Sequence, residues 1–261
     1  MKKLKYLLST TLVCILPFSM ISCGTNNSGA TKDVSLTISA AASLQEAMTD
    51  IEPLFKAKYP NISLTFNYGA SGALQQQIEQ GAPSDVFISA GKSQMTTLAN
   101  ESLLADGTNK DLVQNSLVLV GPKDTQVTSL DDLTTDKVKK IAVGEPSSVP
   151  AGKYADETFT KLNIKDKVSS KLVQGKDVKE VLTWATSGNA DVGFVYLSDA
   201  KSSSNAKIIA TVPENLHSKI VYPAAVIKAS TNQDQAKEFE DFLSTDDAKA
   251  IFEKYGYTIV Q

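Results

Sequence analysis

Arginine is absent from this 261-residue chain: all 26 basic residues are lysine, set against 29 Asp and Glu for a net charge of -3. Arginine leads the forked recognition of phosphates and base edges, so its absence speaks against a nucleic-acid partner. Histidine is nearly absent too, His217 being the only one, in a polar stretch after Pro213-Glu214-Asn215. A triad of Ser71, an Asp and His217 is conceivable, but Gly69-Ala70-Ser71-Gly72-Ala73 lacks the second glycine of a nucleophile elbow. The chain has no Gly-Lys-Ser/Thr phosphate loop, no dinucleotide fingerprint and no cluster of metal-ligand residues. No enzyme and no cofactor is therefore expected. Cysteine is limited to Cys14 and Cys23, which leaves no Cys metal site and, once Cys14 is lost, no disulfide.

Long apolar runs are also lacking, except at the start. Lys2, Lys3 and Lys5 precede an apolar stretch from Tyr6 to Phe18, which ends in Met20-Ile21-Ser22-Cys23. This is the pattern of an export signal over residues 1–22, and Pro17 and the short run argue against a membrane span. The small residue before Cys23 resembles a bacterial lipobox, which implies lipidation of Cys23. Residues 23–33 then read as a Gly/Asn/Ser/Thr tether holding a folded body beside a membrane. Without the three signal lysines the net charge becomes about -6.

From Leu36 onward strand and helix patterns alternate, the signature of α/β architecture. Leu36-Thr37-Ile38-Ser39 alternates as a strand, and Leu44, Ala47, Met48, Ile51, Leu54 and Phe55 then recur at helical spacing. Ser43 falls where that helix begins, with Glu46 three residues later, so Ser43 is expected to be its N-cap in a capping box. The next strand, 62–66, leads to Ser71-Gly72 and another helix start. Strands are expected at 85–90, 116–120, 140–144, 171–174, 191–196 and 208–210, and at 220–227, a long strand that Pro223 should interrupt. Two helices close the chain.

The two α/β sets suggest two lobes with two crossovers, 34–115 with 223–261 and 116–222 between them. Ligands sit in the cleft of such folds, at the carboxyl ends of the strands. Four helix starts fall at such ends: at Ser43, at Ser71, at Pro150-Ala151-Gly152 and at Val178. A helix start carries unpaired N–H groups and the positive end of the helix dipole, so it favours an anion. Tyr196, also at a strand end, adds a phenol. Each helix start singly is ordinary capping; together they suggest an anion site of neutral donors.

Several stretches, in this order and spacing, resemble the molybdate-binding proteins of bacterial ABC importers. They are Ala40-Ala41-Ala42-Ser43-Leu44, Gly69-Ala70-Ser71-Gly72, 81–90, 149–155, 193–200, Tyr222-Pro223-Ala224-Ala225-Val226 and 255–259. The resemblance covers essentially all of Leu36 to Val260. It implies a two-lobe periplasmic-binding-protein fold of type II, with two doubly wound lobes and a two-crossover hinge. It further implies that hydroxyls of Ser43, Ser71 and Tyr196, with backbone N–H groups of Ala151 and Val178, hold molybdate or tungstate. A membrane permease is the implied partner of a monomeric, exported carrier. The alternatives are a carrier of another oxyanion such as sulfate and, much further off, a serine-type hydrolase.

Overall fold

The computed structural model describes residues 33–260; the expected signal, Cys23 and all of the tether but Asp33 lie outside them. β1 (Val34–Ala41) is flanked on both sides by parallel partners, β2 (Ile62–Gly69) and β3 (Val86–Ile88). Its inner residues Leu36, Ile38 and Ala40 are fully buried, which is why this short apolar strand takes a central place. α1 (Gln45–Lys58) and α2 (Ser71–Glu79) make the crossovers, and α3 (Lys92–Asn100) follows β3. The sheet is completed by β4 (Lys110–Gln114), antiparallel to a strand from the far end of the chain.

The chain then builds a second sheet. It contains β5 (Leu117–Pro122), β6 (Ile141–Gly144), β7 (Leu172–Gly175), β8 (Val192–Tyr196) and β9 (Ala206–Thr211), in the order β7-β6-β8-β5-β9. Its helices are α4 (Pro150–Lys161), α5 (Lys165–Val168), α6 (Val178–Ser187) and α7 (Leu197–Ser202). β10 (Val221–Val226) returns to the first sheet, followed by α8 (Gln233–Phe242), α9 (Asp246–Lys254) and β11 (Thr258–Ile259). The first sheet thus runs β11-β4-β10-β3-β1-β2. The chain passes between the sheets twice, and the two-lobe α/β fold is the one expected. Val221 and Tyr222 pair with Gln114 and Val113, so the return to the first sheet begins two residues before the expected 223.

Three expectations need correction. Pro223 does not interrupt its strand: β10 is continuous and central, and the proline sits where the register with β4 slips, between Tyr222 and Pro223. A missing N–H is tolerated at such a bulge, and the Pro223 carbonyl still accepts the Ser89 N–H at 3.0 Å. Ser43 is not an N-cap. It lies inside a 3₁₀ turn, Ala42–Leu44, and α1 starts only at Gln45 with no side chain capping it. Glu46 therefore closes no capping box and pairs elsewhere. β4, β11 and α7 were not expected at all.

Glu240 on α8 is 1% exposed, its Oε1 has no hydrogen-bond partner, and Lys110 Nζ stands 3.9 Å from its Oε2. Burial raises its pKa to about 7, only partly opposed by Lys110. The folded state then holds this proton after the unfolded chain has lost it, so stability falls as pH rises from about 4.5 to 7. The group's full contribution, on the order of 3 kcal/mol, is present below the unfolded pKa and gone above the folded one. Glu240→Gln should flatten this part of the profile in denaturant titrations at pH 5 and pH 8. A parent-like decline in the variant would show that another group is responsible.

Candidate functional site

The carboxyl ends of the strands of both lobes converge on one small cavity. It is lined by Ala41, Ala42, Ser43, Gly69, Ala70, Ser71 and Ala90 from the first lobe, and by Val149, Pro150, Val178 and Tyr196 from the second. The room free to a water-sized sphere is ≈ 10 Å³, against roughly 300–1,000 Å³ for pockets that take organic molecules. That excludes an organic ligand and leaves room on the scale of a water molecule or a small ion. No charged side chain lines it.

Four of the five expected residues, Ser43, Ser71, Val178 and Tyr196, line this cavity. Ala151, the fifth, is fully buried and follows the lining residue Pro150. Pro150 is the first residue of α4, where its lack of an N–H costs nothing and its fixed φ suits the helix. Asp177 caps α6 by accepting the Glu180 N–H at 2.9 Å, which leaves the first N–H, that of Val178, uncommitted. Among the described residues neither Ala151 N–H nor Val178 N–H has a protein acceptor.

Both serine hydroxyls are held by neighbouring groups. Ala90 N–H donates to Ser71 Oγ at 2.9 Å, occupying that oxygen as an acceptor. Ser43 Oγ lies 2.8 Å from the Tyr222 hydroxyl, and Asn115 Nδ2 donates to the same phenol at 3.4 Å. Either hydroxyl can donate in this contact; when Tyr222 donates, the Ser43 proton is left for the cavity. Tyr257 O–H fixes the turn by donating to the Ser43 carbonyl at 2.8 Å. Tyr196 O–H has only a long contact, 3.4 Å, to the Ala90 carbonyl.

Tyr196, Tyr222 and Tyr257 stack edge to face, with centroids 5.6 and 5.4 Å apart. Burial pushes the pKa of all three phenols well above the ordinary value, so they stay protonated donors at neutral pH. Sequence reasoning missed Tyr222, Asn115 and Ala90. No local signal marks them, because their places are set by contacts between distant parts of the chain. His217 takes no part in the cavity: its Nδ1 bonds the Ser218 carbonyl, and it is not among the partners of Ser71. Among the described residues no group of His, Cys, Asp and Glu is placed to hold a metal ion.

The lobes meet backbone against backbone. Gly72 N–H, in the first turn of α2, donates to the Ser148 carbonyl of the other lobe at 2.9 Å. A Cβ on Gly72 would stand 2.6 Å from that same oxygen. Within the second lobe, Gly152 lets α4 rest on β6; a Cβ there would lie 1.9 Å from the Gly144 carbonyl oxygen.

A two-lobe α/β body with a small cavity between its lobes is the architecture of a solute-binding protein. The profile of the bacterial extracellular solute-binding proteins matches residues 36–258, and the chain belongs to that family. The molybdate-binding protein ModA of Haemophilus influenzae is 35% identical over 99% of this chain and 99% of its own. The Bacillus subtilis protein named "Putative ABC transporter substrate-binding lipoprotein YvgL" is 42% identical over 96% and 97%. A solved structure, the "substrate binding domain of putative molybdenum ABC transporter from Clostridium difficile", is 60% identical, with a TM-score of 0.69 over 87% of this chain and all of that one. These relatives are transport components, so the chain is no enzyme and needs no cofactor.

Proposed function

We propose that this protein captures molybdate, and tungstate with it, in the interlobe cavity and delivers it to the permease of an ABC importer. The observation that carries the reading is a cavity of ion size with neutral donors around it and no charged side chain in its wall. Both oxyanions are fully deprotonated at neutral pH, so every oxygen accepts and none donates. Donors from Ser43, Ser71, Tyr196, Ala151 and Val178 match that need, and three helix starts, at Ser71, Pro150 and Val178, add their dipoles. A protonated phosphate oxygen would find no acceptor, a loss of about 1–3 kcal/mol. Sulfate is also a bare dianion, and only the size of the cavity discriminates against it.

Each donor to a charged oxygen contributes roughly 1.5–3 kcal/mol, so five give about 8–15 kcal/mol before dehydration and closure costs. Nanomolar binding takes about 12 kcal/mol net. The lobes close by hinge motion about the two crossovers. We also propose that Cys23 carries a lipid after removal of residues 1–22, which places a monomeric body on the outer face of the cytoplasmic membrane. The pattern before Cys23 supports this, as does the word lipoprotein in the name of the Bacillus subtilis relative.

Calorimetry tests the reading. Molybdate should bind as one equivalent, with sulfate and phosphate at least about a hundredfold weaker, or some 2.7 kcal/mol. Equal affinity for sulfate would move the reading to a sulfate carrier, and ester turnover lost in Ser71→Ala would move it to a hydrolase.

A further inference from the structure

Behind the cavity, one ammonium joins the three elements that carry Ser43, Val178 and Tyr196. Lys179 Nζ lies 2.6 Å from Glu46 Oε2 and 2.9 Å from Asp199 Oδ1. Lys179 follows Val178 in the first turn of α6, and Glu46 is in the first turn of α1, just past the Ser43 turn. Asp199, in the first turn of α7, accepts the Tyr196 N–H through Oδ2 at 3.3 Å. Its other oxygen, Oδ1, is the one that faces the Lys179 ammonium.

The two halves of the cluster differ in kind. Lys179 and Asp199 both belong to the second lobe, so their pairing survives any movement of the lobes. Asp199 is fully buried and needs that partner. Burial pulls the Lys179 pKa down, but the two carboxylates outweigh it and the net shift is upward, keeping the ammonium charged. Glu46 is on the first lobe and more than a third exposed, so its pairing with Lys179 exists only while the lobes are together.

We propose that Glu46 and Lys179 form an interlobe latch: a positioning pair that touches no ligand atom but sets how long the closed state lasts. The inference rests on the reading of the cavity as an oxyanion site. It predicts that release of the ion is governed partly by an ion pair outside the cavity, and so depends on salt although the donors inside are neutral.

The variant to make is Glu46→Gln, which keeps the shape of the side chain and leaves Lys179 paired with Asp199. Removing Lys179 instead would strand a buried carboxylate and confuse latch with folding. Trp184, the only tryptophan, lies on α6 and serves as the probe for stopped-flow release of molybdate. Glu46→Gln should release the ion about two- to fivefold faster than the parent at low salt. The parent's release should quicken between low and high NaCl, the variant's should not, and Glu46→Asp should restore the salt dependence. Release and salt dependence in Glu46→Gln equal to the parent's would overturn the latch, as would a drop in ligand-free melting temperature with no change in either. A parent that shows no molybdate binding at all would instead remove the oxyanion reading, and the latch with it.

Discussion

Gly72→Ala is expected to weaken molybdate binding more than about a hundredfold, some 2.7 kcal/mol or more, while the ligand-free protein melts no lower than the parent. The added methyl would lie 2.6 Å from Ser148 O and 2.7 Å from Ser148 Cα, both backbone atoms of the opposite lobe. No rotamer relieves such a contact, so the lobes must stay apart, and the Gly72–Ser148 hydrogen bond is lost as well. With the lobes apart the alanine meets nothing and, inside a helix, is preferred to glycine by about 0.5–1 kcal/mol. Affinity and stability should thus move in opposite directions, which separates a blocked closure from a damaged fold. Parent-like affinity in Gly72→Ala would show that the ion is held without this approach of the lobes.

The second large effect is expected when Ser43→Ala and Ser71→Ala are combined. Each removes a donor to a charged oxygen, about 1.5–3 kcal/mol, so the simple sum is roughly 3–6 kcal/mol, and because both serines face one ion any departure from that sum measures their coupling. That is about two to four orders of magnitude in affinity. Because Ser43 caps no helix, its loss should not carry a capping cost in stability. It leaves the Tyr222 hydroxyl without its serine partner, a smaller penalty visible in the melt without ligand. Calorimetry on the two single variants and the double variant, with melting curves beside them, checks both halves. A double variant that binds like either single one would show that only one serine faces the ion.

The reading of Ser43 as an N-cap illustrates what was legible in the sequence and what was not. Small residues, a serine and a helical period mark a strand-to-helix junction, and the junction is there. Periodicity has no means of telling a 3₁₀ turn from the first turn of an α-helix, because both place the same residues near the end of β1. Hence Glu46 looked like half of a capping box when its partner is Lys179, 133 positions away. Pro223 failed for a related reason: proline excludes a ladder hydrogen bond, but only the register with β4 reveals that no bond falls there. β4, Lys110-Asp111-Leu112-Val113-Gln114, opens with two charges and becomes a strand through its place beside β10. The residues around the cavity were recognisable because strand ends and helix starts are local features. The donors behind them, Tyr222 and Ala90, are set by contacts across 179 and 19 positions, which no local pattern encodes.

The most direct measurement is a crystal grown with molybdate and recorded for the anomalous signal of molybdenum. The account predicts one strong peak between the lobes, with oxygens in hydrogen-bond reach of Ser43 Oγ, Ser71 Oγ, the Tyr196 hydroxyl and the N–H groups of Ala151 and Val178. A peak elsewhere, for example in the larger cavity beside His217 and Lys219, with the interlobe cavity free of molybdenum, would contradict it.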